Sequence, residues 1–178
     1  IGAGPCGLAT AYACQQAGIA PLILEKGVVV NSIYHFPTYM QFFSTADNLE
    51  IAEAPFLTSR EKPTRQEALH YYRSVALRQQ MRIETGVKVE RIVPLASHHF
   101  AVHTVNQHAE RAVYEASHVV IATGYYDHPN RLHIPGEELP KVSHYYREAH
   151  PYTGKKVAVI GGKNSAVDAI LDLLQVGA

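Results

Sequence analysis

The spacing of apolar residues predicts a helix and a strand at the beginning of the chain. Residues 5–17 carry Leu8 and Ala11 at helical spacing, and the pattern ends near Gly18. The next stretch, APLILEK, is a compact apolar run that ends in charged residues, as a buried strand does. A turn, a helix and a strand in this order form the second half of a β-turn-helix-β unit.

The middle of the chain changes its pattern twice. Residues 28–58 are aromatic and irregular, and a long insertion of this kind usually covers a site. Thr64 and Glu67 form a capping-box pattern, which predicts an amphipathic helix as far as about Gln79. Apolar residues then alternate with polar ones in VKVERIV, HFAVHTV, RAVYEAS and HVVIATG, which predicts a small β-meander that returns into an apolar strand.

Strands that alternate with helices predict an α/β fold. Residues 127–153 are rich in proline, glycine, histidine and charge, which is typical of a linker. The last stretch, KKVAVIGGKNSAVDAILDLLQVGA, repeats the strand, turn and helix pattern. We therefore predict a nucleotide-binding domain at 1–126, a linker at 127–153 and the start of a second nucleotide-binding domain at 154–178.

Composition narrows the class of partner. The 178 residues carry no net charge, and the acidic and basic residues are mixed, so nucleic acid and membrane surfaces are not expected partners. No apolar run is long enough to span a bilayer. The two cysteines, Cys6 and Cys14, are eight positions apart on one predicted helix and should not form a disulfide. We expect a cytoplasmic protein with a small-molecule partner.

The first turn carries a dinucleotide-binding motif. In GAGPCG, Gly2 permits a tight turn, Gly4 lets the backbone approach a pyrophosphate, and Gly7 allows close packing of helix on strand. Glu25 stands at the end of the next strand, at the distance expected of a carboxylate that binds an adenosine ribose. The alternative is a glycine-rich turn between core elements, with Glu25 as a solvated strand end.

A second turn of this kind follows the linker, but it is less regular. Gly161, Gly162 and Ala166 stand where the pattern requires small residues, whereas Lys163 replaces the second motif glycine. Its side chain either crowds a pyrophosphate or points away and adds a positive charge. Two such units indicate a Rossmann-like fold that binds two dinucleotides, as in a flavin enzyme supplied by a nicotinamide. The ATG stretch at 122–124 consists of small residues, which let the chain pass close to the first cofactor.

A family resemblance rests on longer motifs. GAGPCGLA, LEKG, NSIYHFPT, FFST, EKPTR, IATGYYDHPN, LPKVSHYYREAHPY and VIGGKNSAVDA together resemble the bacillithiol-disulfide reductase (YpdA-type) family of thioredoxin-reductase-like flavoproteins. The resemblance covers nearly the whole chain. It implies an oxidoreductase with FAD in the first unit and NADPH in the second, which reduces the disulfide of a low-molecular-weight thiol.

The resemblance also implies which residues contact the cofactors. The predicted FAD contacts, with Gly7 added from the motif, are Gly2, Ala3, Gly4, Pro5, Gly7, Glu25, Lys26, Val89, Thr123 and Gly124. The predicted NADPH contacts are Gly161, Gly162, Lys163, Asn164, Ser165 and Ala166. The GGKNSA spelling, lysine included, is similar to the family's own turn.

Cys6 is the candidate catalytic residue. No C-x-x-C occurs, which leaves a route in which a single thiol forms a mixed disulfide with the small thiol. A helix N-terminus favours the thiolate, whereas a neighbouring pyrophosphate opposes it. The alternative is a small apolar residue that fits a crowded turn. Cys14 is predicted to be a buried helix residue.

Histidines and aromatic residues leave several alternatives open. His98, His99, His103 and His108 are expected at the surface, and we predict no metal site. The pair His144 and His150 either lines a cleft with the neighbouring tyrosines or packs in the linker. Residues 34–44 either form a wall beside the flavin ring or belong to an aromatic core.

The two ends of the sequence fall inside predicted elements, so we expect a fragment of a longer enzyme. Two rival functions remain open at this stage. A flavin-dependent monooxygenase would carry a glycine before His144, which LPKVSHYY lacks. A non-catalytic flavin-binding module would bind the flavin without being reduced by NADPH. Whether the protein is a homo-oligomer also remains open.

Overall fold

The structure, a computed structural model, describes residues 1–96 and 98–178. Four α-helices, two short 3-10 helices (Asp47–Leu49 and His150–Tyr152) and five strands are assigned within these residues. In chain order the α-helices and strands are α1 (Pro5–Gln16), β1 (Ile23–Glu25), α2 (Asn31–His35), α3 (Arg65–Arg78), β2 (Ile83–Thr85), β3 (Val87–Pro94), β4 (Phe100–Asn106), β5 (Arg111–Ala116) and α4 (Asn164–Gln175). The α/β class and the first predicted helix are confirmed.

A short parallel sheet lies beside the first turn. Strand β1 pairs in parallel with β2, and all three β1 residues are buried. The Gly2 N–H donates to the Leu24 carbonyl at 2.8 Å, so the turn begins beside β1. Sequence patterning did not predict β2, because three residues are too few to show alternation.

The predicted meander forms an antiparallel sheet of three strands, β3, β4 and β5 in that order. The pairing of β3 with β4 shifts between Val89 and Arg91, which marks a bulge at Glu90. The alternation that predicted VKVERIV, HFAVHTV and RAVYEAS is therefore confirmed for these three strands.

The predicted capping box is also confirmed. The Thr64 hydroxyl accepts from the Glu67 N–H at 3.3 Å, and a Glu67 carboxylate oxygen accepts from the Thr64 N–H at 2.8 Å. These bonds satisfy two donors at the start of α3. The helix packs Tyr71 against Phe56, with ring centroids 4.2 Å apart, and this aromatic contact forms part of the core.

Two predicted strands are not strands in the structure. Within residues 118–124, the Val120 carbonyl accepts from the Ile1 N–H, and the Ala122 N–H donates to the Ile1 carbonyl. Bonds to a single partner residue do not make a ladder. Residues 155–160 pair with no described strand. Their apolar side chains are correspondingly open, with Ile121 68% and Ile160 73% exposed.

The chain divides into two compact units, residues 1–34 with 41–128 and residues 35–40 with 129–178. The first unit contains the turn after Ile1, both sheets and helix α3. The second contains the turn at Gly161 and helix α4. The functional division predicted at 126 and 153 stays a prediction.

Candidate functional site

The first turn has a backbone that only glycine fits at two positions. Gly2 has φ +100°, and a Cβ there would lie 2.5 Å from the Ala122 carbonyl oxygen. A Cβ on Gly7 would lie 1.9 Å from the Gly2 carbonyl oxygen. Helix α1 therefore sits directly against the turn, and any side chain at either position would push the two apart.

Gly4 differs from the other two glycines, because it faces open space. It is the N-cap of α1 with φ −75° and ψ 177°, and a Cβ there would meet no protein atom within 4 Å. No side chain caps this helix end. The free N–H groups of the first helical turn and the open face of Gly4 together fit an anionic group such as a pyrophosphate.

Glu25 is buried behind the turn, only 6% exposed. One carboxylate oxygen accepts from the Ala3 N–H at 2.8 Å, and the other accepts from the Gly27 N–H at 2.8 Å. Each oxygen keeps further acceptor capacity, so these bonds leave room for a ribose hydroxyl. The alternative of a solvated strand end does not describe this side chain, whereas its role toward a ribose stays a prediction.

The other predicted FAD contacts lie at different places in the same unit. The Thr123 Cα lies 3.3 Å from a Cβ position on Gly2, so the structure brings these two residues together. Gly124 has φ +65°, and Lys26 is exposed and paired with Asp127. Val89 is half-buried on β3, next to the bulge.

Cys6 occupies the second position of α1, and its side chain is exposed. The exposure of the thiol differs from that of a small residue packed into a crowded turn, and its catalytic role stays a prediction. Burial, followed by Tyr71 and the Cys6 thiol, raises the pKa of Tyr72, whose hydroxyl donates to the Leu49 carbonyl at 2.9 Å. Cys14 is also a free thiol but only half-buried, which is less than predicted. Its neighbour Ala13 is exposed, so α1 turns this side of the helix partly to solvent.

The second turn is similar to the first, because a glycine with positive φ again precedes an extended N-cap by two residues. Gly161 has φ +147°, and Lys163 is the N-cap of α4 with φ −98° and ψ 175°. A Cβ on Gly161 would lie 3.4 Å from the Ala166 Cβ, and one on Gly162 would meet no protein atom within 4 Å. Lys163, Asn164 and Ser165 are all exposed. The lysine thus replaces the second motif glycine without distorting the turn.

The tyrosines and histidines of residues 129–152 make specific contacts in their unit. Tyr146 stacks on Tyr152 with centroids 6.2 Å apart, and its hydroxyl donates to Asp172 on α4. Burial, then that carboxylate, raises the pKa of Tyr146. His144 bonds to Glu137 at 2.8 Å. These contacts describe the packing of the two tyrosines and of His144 within their unit. Because His150 is exposed, the choice between a cleft and a packed linker for the two histidines stays a prediction.

Sequence patterning missed two residues in the first unit. Arg65 is buried at the start of α3, and its guanidinium donates to the carbonyls of Ile33 at 3.2 Å and Tyr34 at 2.6 Å. The same group lies 5.6 Å from the Tyr34 ring centroid, so it fixes the end of α2 and the first aromatic residue of the 34–44 stretch. Val30 has φ +50°, a conformation that nothing in a valine predicts.

Residues 1–96 and 98–178 lack two features, a metal-binding cluster and a membrane-spanning helix. No group of three or more His, Cys, Asp or Glu side chains there could hold a metal ion. None of the helices in those ranges has the length and apolar character to cross a bilayer.

Comparison with known proteins assigns the family. The model of the pyridine nucleotide-disulphide oxidoreductases matches residues 1–178. The chain belongs to this family. Within it, a curated relative, the bacilliredoxin reductase Bdr of Bacillus subtilis (strain 168), is 48% identical over 178 residues, which are 100% of this chain and 53% of the relative.

A solved structure agrees with that relationship. The bacillithiol disulfide reductase Bdr (YpdA) from Bacillus cereus superposes with a TM-score of 0.95 at 48% identity, over 99% of this chain and 54% of that one. A flavin-containing monooxygenase, FMO GS-OX3 of Arabidopsis thaliana, is more distant, at 27% identity over 99% of this chain and 46% of its own length. The chain spans about half the length of the curated relatives it matches.

Proposed function

We propose that this chain is the cofactor-binding part of an FAD-dependent, NADPH-driven oxidoreductase that reduces the disulfide of a low-molecular-weight thiol, bacillithiol disulfide. The observation that carries the proposal is the pair of turn and helix units, each with a positive-φ glycine two residues before an extended N-cap, in a chain 48% identical to a bacilliredoxin reductase. A cytoplasmic location belongs to the same proposal, because a thiol-reducing system works in a reducing compartment.

FAD is assigned to the first turn. The open face at Gly4 and the uncapped N–H groups of α1 would hold its pyrophosphate. Glu25, Lys26, Val89 and Thr123 would surround the adenosine end. The isoalloxazine of FAD supplies two-electron transfer between a nicotinamide and sulfur when it is bound.

NADPH is assigned to the second turn, residues 161–166. Gly161 supplies the tight turn, the N–H groups at the start of α4 lie uncapped, and the exposed Lys163 adds a positive charge beside them. This combination supports the binding of a phosphate-rich nucleotide. The lysine then acts on a phosphate as a point charge, with no need for a close backbone approach.

Cys6 is the residue to which we assign sulfur chemistry. Its exposed thiol lies at the helix N-terminus, where the helix dipole favours the thiolate. The thiolate attacks one sulfur of the small disulfide, a Cys6–S bond forms, the S–S bond breaks, and one molecule of thiolate leaves. These 178 residues contain two cysteines and no C-x-x-C, so the step is proposed with Cys6 as a single thiol.

The test measures NADPH absorbance without oxygen, in the full-length protein loaded with FAD, with bacillithiol disulfide present. Turnover under these conditions is the expected result, and Cys6→Ser should abolish it while Cys14→Ser, the matched control, should not. NADPH consumption only after air is admitted would overturn the reductase proposal in favour of an oxygenase or oxidase. Flavin that binds but is not bleached by NADPH would indicate a non-catalytic module.

A further inference from the structure

Residues 36–40 form a loop after helix α2, and residues 63–65 at the start of α3 hold the chain on both sides of it. On the N-terminal side, the Arg65 guanidinium donates to two successive carbonyls, those of Ile33 at 3.2 Å and Tyr34 at 2.6 Å. The same group lies 5.6 Å from the Tyr34 ring centroid, which is within the range of a cation–π contact. One side chain therefore fixes the end of α2, where the loop begins.

The C-terminal side of the loop is attached to the two residues that precede α3. The Phe42 N–H donates to the Pro63 carbonyl at 2.8 Å, and Gln41 pairs with Thr64 in an isolated antiparallel bridge. The Pro63 side chain is fully buried, so this attachment point belongs to the core. We call residues 63–65 the loop clasp, because they hold the chain on both sides of the loop.

Arg65 is an unfavourable residue at this place if stability alone is considered. It is 9% exposed and stands in the first turn of α3, where the helix dipole disfavours a cation. The acceptors described for its guanidinium are two neutral carbonyl oxygens, whereas buried charges are normally paired with opposite charges. A guanidinium presents its donors in a rigid planar fork, which suits two adjacent oxygens. The contact therefore depends on the shape of the arginine, and a lysine would not reproduce it.

We propose that Arg65 is a positioning residue that holds residues 36–40 in place for the flavin ring before any cofactor binds. This inference rests on the proposed FAD site, with residues 34–44 as the wall beside the isoalloxazine. A loop that is already formed spares FAD the cost of ordering it. Arg65 therefore contributes to the binding of the ring end of FAD and not to that of its ADP end, which is assigned to the first turn.

The decisive experiment compares FAD with ADP, by calorimetric titration of the deflavinated full-length protein. ADP carries the adenosine and the pyrophosphate but not the flavin ring. Arg65→Met should weaken FAD about 10-fold and leave ADP unchanged, because only the ring end meets the loop. A general structural role for Arg65 predicts instead that both ligands weaken by the same factor. That result, or an unchanged FAD affinity, overturns the proposal.

A second variant, Arg65→Lys, separates the shape of the guanidinium from its charge. The lysine keeps the charge but loses the fork that bonds two carbonyls, so FAD should again weaken about 10-fold. Full FAD affinity in this variant contradicts the proposal. Arg78→Met, at an exposed arginine in the last turn of the same helix, is the matched control and should leave both ligands unchanged.

Amide hydrogen exchange of the cofactor-free protein separates the loop clasp from the FAD assignment. The Tyr34 N–H donates to the Val30 carbonyl at 3.1 Å, and in Arg65→Lys it should exchange about 10-fold faster. The amides of strand β4 should keep their rates in the same variant. Unchanged exchange at Tyr34 refutes the clasp. If Tyr34 responds as expected but the unaltered protein binds neither FAD nor ADP, the result refutes the FAD assignment and not the clasp.

Discussion

The two turn and helix units share a backbone plan but differ in what supports them. Gly2 and Gly161 both have positive φ, +100° and +147°, and Gly4 and Lys163 both precede their helices in extended conformations. Helices α1 and α4 have 12 residues each. Local sequence therefore specifies the turn itself, twice, in the same way.

The surroundings of the two turns are not equivalent. The first is bonded to Leu24, Glu25 and Val30, and its helix buries Leu8 completely. The second is exposed from Gly161 to Ser165, and Val167, which corresponds to Leu8, is 48% exposed. In the first unit, residues after the motif therefore hold the turn through backbone and carboxylate hydrogen bonds.

The largest expected effect comes from Gly7→Ala, set against Ala166→Gly at the equivalent position of the second unit. The new Cβ would lie 1.9 Å from the Gly2 carbonyl oxygen, so the turn and α1 must separate. We expect a loss of roughly 3 kcal/mol in the free energy of unfolding, measured by urea denaturation. Ala166→Gly should cost about 1 kcal/mol, from helix propensity alone. Equal losses for the two variants would contradict the close packing.

A substitution at Gly4, the second motif glycine, tests cofactor binding and not folding. Gly4→Leu should leave the free energy of unfolding within about 1 kcal/mol, because a Cβ there meets no protein atom. It should weaken FAD roughly 30-fold by blocking the approach of the pyrophosphate. Lys163→Leu, where the turn already carries a long side chain, should weaken NADPH less, by loss of charge alone. Titration of FAD and of NADPH measures the two losses of affinity. A larger loss of NADPH affinity in Lys163→Leu than of FAD affinity in Gly4→Leu would contradict this prediction.

The features that could be predicted from the sequence are the local ones, and those that could not depend on distant segments. The capping box at Thr64 and the glycines at Gly2 and Gly7 were predictable, because each depends on neighbouring residues and on steric rules. The parallel strand β2 and the positive φ of Val30 were not, because they depend on contacts between segments far apart in the sequence. The carboxylate of Glu25 was predicted as part of the site, but its two bonds to the backbone carry no sequence signal.

Each unit also contains a carboxylate that accepts hydrogen bonds from two backbone N–H groups, Glu25 in the first unit and Glu137 in the second. Acid should reduce the contribution of Glu137 to stability. His144, then the N–H groups of Leu132 and His133, lowers the pKa of Glu137 from 4.5 to about 2. Because the folded pKa is depressed, its contribution to stability is complete above pH 4.5 and is lost as pH falls from about 4.5 toward about 2.

Amide exchange at Leu132 and His133, measured against pH, tests that contribution. Exchange should accelerate below pH 4.5 beyond its intrinsic pH dependence, and Glu137→Gln should remove the excess. Glu138→Gln is the matched control, because Glu138 lies next in sequence and its side chain is 80% exposed. An excess that persists in Glu137→Gln would assign the acid sensitivity to another group.

The smallest effect is expected at the two helix ends, where substitutions in the two units should cost the same amount of stability. Gly18 after α1 and Gly177 after α4 have φ +73° and +71°, and a Cβ on either would meet no protein atom within 4 Å. Alanine at each position therefore adds only the cost of a left-handed backbone, about 1 kcal/mol, and asparagine should cost less. Urea denaturation of the four variants measures both ends. We expect equal losses in the free energy of unfolding at the two helix ends and unequal losses at Gly7 and Ala166. That result would show that the two units differ in the packing around their turns and not in their helix ends.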